Sequence, residues 1–178
     1  MANAYHSIAF TNDVKARQDA RGSRAAYARA EDGPLMAEAL GPEEATFIAA
    51  RDSFYMSSVG ATGWPYVQHR GGPKGFIRVL DTKTIGFAEF SGNKQYITSG
   101  NLDGDDRVSL IFMDYPNRRR LKLLGHAQRV SGADAQQFAA PYVGTRLAPR
   151  IEGAMLIKVA ALDWNCPQYI TPRFTEEE

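Results

Sequence analysis

Between residues 54 and 161 the chain alternates short apolar runs with turns bearing glycine, proline, asparagine or aspartate. This rhythm limits the fold more than any other feature. Runs at 54–59, 65–70, 76–80, 84–90, 108–113, 119–130 and 154–161 have the length and the β-branched and aromatic content of strands. The first two flank Gly60-Ala61-Thr62-Gly63 and form a β-hairpin. Gly71-Gly72-Pro73-Lys74-Gly75 then breaks the ladder, because proline has no N–H to give. Turns are expected at 81–83, 91–93 and 114–117, a short strand at 94–98, and a polar connection at 101–106. The run Val108-Ser109-Leu110-Ile111-Phe112-Met113 reads as a central strand buried on both faces. Strands at this spacing, with no helix between most of them, argue against a Rossmann sheet. They predict a mainly β protein with flanking helices, an antiparallel barrel or sandwich.

Helices are expected only outside that region and near its end. Residues 1–10 read as extended or irregular. Residues 12–30 favour helix, divided at Gly22-Ser23, with a thin apolar face of Val14, Ala25, Ala26 and Tyr27 that must lie on something else. Asp32-Gly33-Pro34 breaks the chain again. Pro42 suits the first position of a helix running to about Asp52, and Glu43 and Glu44 suit its positive end. Ser131 is placed to cap a helix that stops before Pro141. One domain over 1–178 is expected, with a helical arm at 1–41, a barrel at 43–162 and a tail at 163–178 whose last three glutamates are solvated.

The net charge of +1 over 178 residues speaks against general nucleic-acid binding. The single cysteine, Cys166, excludes an internal disulfide. Neither a leader pattern at the N-terminus nor a membrane-length apolar run is present in the sequence, so a cytoplasmic protein is expected. His6, His69 and His126 have no metal-ligand spacing, Cys166 lacks a triad, and the adjacent Asp105 and Asp106 point apart. No metal site and no nucleophile follow.

What remains is a set of polar groups on strands and turns. Tyr66, Gln68 and Arg70 share one strand face, and Val67 and His69 the other; Arg120 and Lys122 share a face of theirs. A phosphate ester seeks arginine, lysine, hydroxyls and backbone N–H groups. Arg70, Lys74, Lys94, Ser99 and the run Arg118–Arg120 offer them, and glycines 71, 72, 92 and 100 allow close backbone approach.

The helix at 42–51, the hairpin at 54–70 and the strands at 76–80, 84–90, 108–113 and 119–130 resemble, in that order, the FMN-binding split barrels like pyridoxamine 5'-phosphate oxidase. The tail Trp164-Asn165-Cys166-Pro167-Gln168-Tyr169-Ile170, with Ser7-Ile8-Ala9-Phe10-Thr11, is similar to a subgroup of flavin-nucleotide-binding members. The resemblance implies an antiparallel six-stranded split barrel, FMN as cofactor, and a homodimer with flavin at the subunit interface. Gln68, His69, Arg70 and Gly71 would run along the flavin. Lys94, with Asn93 and Ser91, would meet its phosphate. Arg120 would reach the ring, often from the other subunit, and Trp164, Asn165 and Gln168 would close the site. The oxidase's basic, apolar second strand is replaced here by Gln68-His69-Arg70-Gly71-Gly72-Pro73-Lys74, so its own substrate is not implied. The expected function is an FMN-dependent oxidoreductase taking a small substrate or NAD(P)H. A flavin carrier or sensor, or a barrel holding haem or a deazaflavin, is the alternative. No residue is assigned a catalytic role.

Overall fold

The computed structural model describes residues 3–31 and 39–176. The break expected at 32–34 and the last two glutamates lie outside them. Seven strands, one more than the six expected, form a single antiparallel sheet: β1 (Ser53–Val59), β2 (Pro65–Gly71), β3 (Arg78–Asp81), β4 (Thr84–Phe90), β5 (Arg107–Asp114), β6 (Arg119–Val130) and β7 (Ile151–Trp164). Their order is β2-β1-β5-β6-β7-β4-β3. Far apart in that order, β1 and β4 nevertheless touch: the Phe54 and Phe87 rings lie 5.2 Å apart, edge to face. The sheet therefore curls on itself around Phe54, which also stacks on Phe76 and Phe112. This is the split barrel.

Two glycines permit the tight curl. A Cβ on Gly125, at the bulge where β6 shifts register against β7, would lie 2.7 Å from the Lys158 carbonyl oxygen. A Cβ on Gly86 would lie 2.5 Å from the Phe138 ring. Phe138 comes from the connection between β6 and β7, and with Tyr142 it fills the core, the Tyr142 ring meeting Phe90 at 4.8 Å.

Among the described residues six α-helices flank the sheet. α1 (Ala4–Ala9) replaces the irregular segment expected at 1–10; the Asn3 side chain caps it by accepting the His6 N–H at 3.0 Å. α2 (Asn12–Ala20) and α3 (Arg24–Glu31) part at Gly22-Ser23 as expected, and Arg24 ties them through Gln18 and Glu31. α4 (Pro42–Ala49) buries Phe47 and Ile48, and the Glu44 carboxylate accepts the Gly41 N–H at 2.9 Å.

Three further expectations need correction. Residues 94–98 are not a strand, because Lys94 and Tyr96 have φ of 59° and 51°, and a strand cannot hold left-handed residues. They lead into α5 (Ile97–Gly104), which absorbs most of the supposed polar connection. Its polar residues dock it: Thr98 Oγ1 donates to Gln68 Oε1 at 2.9 Å and Asn101 Nδ2 to Ser58 Oγ at 3.0 Å. Next, β5 is buried on one face only, with Val108, Leu110, Phe112 and Asp114 inward while Arg107 and Ser109 are exposed. Finally, α6 (Ala133–Gln136) begins after Gly132, at φ 61°, without a side-chain cap from Ser131.

Candidate functional site

Pairing fixes which side chains of β2 face inward. Arg70, Gln68 and Tyr66 lie opposite Phe54, Met56 and Ser58, all buried. They therefore line the inner wall where the sheet splits. Facing them is the segment after β4, whose left-handed Lys94 and Tyr96 turn the chain back toward the strand. Together these walls enclose a cleft of about 80 Å³, lined also by Asn93, Thr98, Ser99, Glu89, Arg129 and Glu152.

Its electrostatics favour an anion. The N–H groups of Ile97, Thr98 and Ser99 precede the first intrahelical bond of α5, from Gly100 to the Tyr96 carbonyl, and no side chain caps them. The helix dipole adds partial positive charge there. Lys94 makes no salt bridge among the described residues. The Arg70 side chain is 18% exposed, its guanidinium 5.9 Å over the Phe87 ring and 3.7 Å from Glu89. Burial pulls its pKa down and Glu89 pulls it back up. Its Nε is buried without a partner. An unpaired buried N–H costs about 1–3 kcal/mol. Glu89 accepts a hydrogen bond from Arg129 Nε at 2.8 Å, which raises the Arg129 pKa.

Of the residues singled out from sequence, Tyr66, Gln68, Arg70, Gly92, Asn93, Lys94 and Ser99 meet in this cleft. The others do not line it. His69 faces outward, its ring 5.5 Å from Tyr55, and Gly71 ends β2 at Asp52. Ser91 donates its N–H to the Arg150 carbonyl at 2.7 Å. Arg120 lies on the outer face of β6, its Nε also buried and unpaired. Trp164 is tied to α4, donating to Glu44 at 2.7 Å and packing on Phe47 at 4.7 Å, under the Arg119 guanidinium at 4.4 Å. Asn165 donates to Asp163, and the Gln168 N–H meets the Cys166 sulfur. Tyr96, Glu89, Arg129 and Glu152 were not singled out. The alternation that selected Gln68 and Arg70 also selected Tyr66, but no local signal joins Glu89 and Arg129, which meet only through the barrel's closure.

Among the described residues no group of histidine, cysteine or carboxylate side chains could hold a metal ion, and no helix is long and apolar enough to cross a membrane.

No curated protein matches the sequence. Solved structures share the fold at low identity. HupZ of Group A Streptococcus aligns with TM-score 0.58 and 18% identity over 75% of this chain and 98% of its own. An FMN-binding protein from Syntrophomonas wolfei aligns with TM-score 0.55 and 12% identity over 70% and 85%. A Clostridium acetobutylicum protein related to general stress protein 26 of B. subtilis, of the pyridoxinephosphate oxidase family, aligns with TM-score 0.50 and 13% identity over 69% and 85%. The family model described as pyridoxamine 5'-phosphate oxidase matches residues 40–165, from just before α4 to just past β7. On that match the chain belongs to the pyridoxamine 5'-phosphate oxidase family.

Proposed function

We propose that this chain binds flavin mononucleotide by its phosphate in the cleft beside β2 and works as an FMN-dependent oxidoreductase on a small substrate, with NAD(P)H as an electron source. The observation that carries this reading is the convergence on one spot of Arg70, unpaired Lys94 and the open N-terminus of α5. A phosphate dianion fits that donor set. The Syntrophomonas wolfei relative, named as FMN-binding, supports the choice of ligand.

The ring does not fit in the same space. Ligand pockets hold roughly 300–1,000 Å³, and this cleft encloses about 80 Å³. A second copy of the chain supplies the rest. Tyr55, Val59 and Val67 are exposed on the outer face of β1 and β2, beside Ser57 and Ser109. Two such faces together form the homodimer seam. Arg120, Trp164, Asn165 and Gln168 would reach a flavin from the partner side of that seam, which accounts for their absence from the cleft.

When bound, FMN supplies the hydride and electron transfer, and the protein supplies binding and orientation. Lys94 and Arg70 anchor the phosphate. Thr98 holds Gln68 with its amide turned into the cleft. The working place proposed is the cytoplasm.

The test is the purified protein's absorbance and the mass of its released ligand. Flavin bands, a mass equal to FMN, and bleaching by NADPH or NADH are expected. Flavin bands without bleaching under any donor would leave a carrier. A Soret band or a colourless protein that takes up no FMN would overturn the proposal.

A further inference from the structure

One residue of the cleft runs against its purpose. Glu89 is a carboxylate, 7% exposed, beside the arginine proposed to hold a phosphate. Two guanidiniums flank it: Arg129 Nε donates to Oε2 at 2.8 Å, and Arg70 Nη2 stands 3.7 Å from Oε1. Arg129 is the more accessible of the two, its side chain 43% exposed against 18% for Arg70.

We infer that Glu89 is a built-in counter-anion that weakens anion binding enough to keep free inorganic phosphate out of the cleft while a phosphate attached to a larger ligand is still held. This rests on the anion-binding reading of the cleft given above. Arg70, Arg129 and Lys94 line it against Glu89 and Glu152, three cations to two carboxylates. Without Glu89 the surplus would double from one to two. Free phosphate and the head of a phosphate monoester carry the same charge and present the same oxygens. Cations alone cannot tell them apart, and a strongly basic cleft would fill with the free ion. A fixed negative charge lowers the affinity for both by the same factor. The ratio of the two affinities is unchanged, but free phosphate, which has no other contacts, becomes too weak a ligand to occupy the cleft, whereas a ligand with further contacts outside the cleft stays bound. The 3.7 Å gap to Arg70 is compatible with this role. It is too long for a hydrogen bond, so the guanidinium is held in place while its donors remain available.

Glu89→Gln keeps an oxygen for Arg129 and removes the charge. The probe is inorganic phosphate alone, followed by calorimetry and by the shift in melting temperature of the full chain. Phosphate is expected to bind the variant at least about tenfold more tightly than the wild type, since a nearby charge in a partly buried site acts through a low effective dielectric. FMN binding to the variant should then become sensitive to added phosphate. Equal phosphate affinity in the two proteins would overturn the inference. If Glu89→Gln does not fold, Arg129→Gln tests the balance from the other side, because Glu89 is then left to neutralise Arg70 alone. Phosphate affinity should fall several-fold, and an unchanged value would count against the role. The phosphate titrations need no flavin, so they fail or succeed separately from the FMN reading. That reading is decided by wild-type FMN binding.

Discussion

Tyr142 is fully buried, and its hydroxyl has no hydrogen-bond partner. Burial pushes the phenol up from 10.0 to about 12. Two effects of Tyr142→Phe follow. At neutral pH the substitution removes an unsatisfied polar group and leaves the ring against Phe90 in place. An unpaired buried hydroxyl costs about 1–3 kcal/mol, so the variant should be more stable by about 1 kcal/mol. For a chain of 178 residues that is a rise of roughly 2–4 °C in melting temperature. The second effect depends on pH. The folded protein favours the neutral phenol, so its contribution is complete below pH 10 and is lost as pH rises toward 12. In that window unfolded tyrosine ionises while Tyr142 in the folded protein does not. Two pKa units correspond to roughly 2–3 kcal/mol. Urea denaturation of both proteins between pH 7 and pH 12 measures both effects, because the other tyrosines cancel in the comparison. The wild type should lose more stability than the variant above pH 10. A Tyr142→Phe protein less stable at pH 7, or one declining in parallel with the wild type up to pH 12, would refute the reasoning.

Three further outcomes follow from other parts of the structure. Gly86→Ala places a methyl group against the buried Phe138 ring, and thermal unfolding should show a loss of about 1–3 kcal/mol; Phe138→Leu in the same chain should recover part of it. Arg24, with help from Lys15, holds the Glu31 carboxyl down to about 2, so the α2–α3 contact is intact above pH 4.5 and lost as pH falls toward 2. Amide exchange in α2 and α3 should rise over that range in the wild type, and Glu31→Gln should abolish the pH dependence. Arg70→Met leaves Glu89 paired with Arg129 and removes one charge-assisted contact of about 1.5–3 kcal/mol, so FMN should bind roughly 10- to 150-fold more weakly while riboflavin is unaffected; fluorescence titration reads both.

The barrel was legible because strand signals are local. Alternation and turn residues marked β1, β2, β4 and β6 to within a residue at each end, and Pro42-Glu43-Glu44 marked α4. What failed was decided by contacts distant in sequence. Ser99-Gly100-Asn101 has the composition of a loop, and it becomes helix because Thr98 and Asn101 bond to the β1–β2 hairpin. The short first helix depends on one capping bond from Asn3, in a segment whose composition reads as irregular. The site divides the same way. Gln68 and Arg70 follow from strand period and Lys94 from its basic turn. Glu89 and Arg129 lie 40 residues apart and meet only when the sheet closes. Nothing in a single sequence pairs them.

The most direct measurement is calorimetric titration of the wild-type chain with FMN and with riboflavin, which share the ring and differ in the phosphate, at low and high salt. FMN should bind at least about 100-fold more tightly, and the gap should narrow as salt screens Lys94 and Arg70. Equal affinities for the two flavins, or a preference untouched by salt, would contradict a phosphate anchored between β2 and α5.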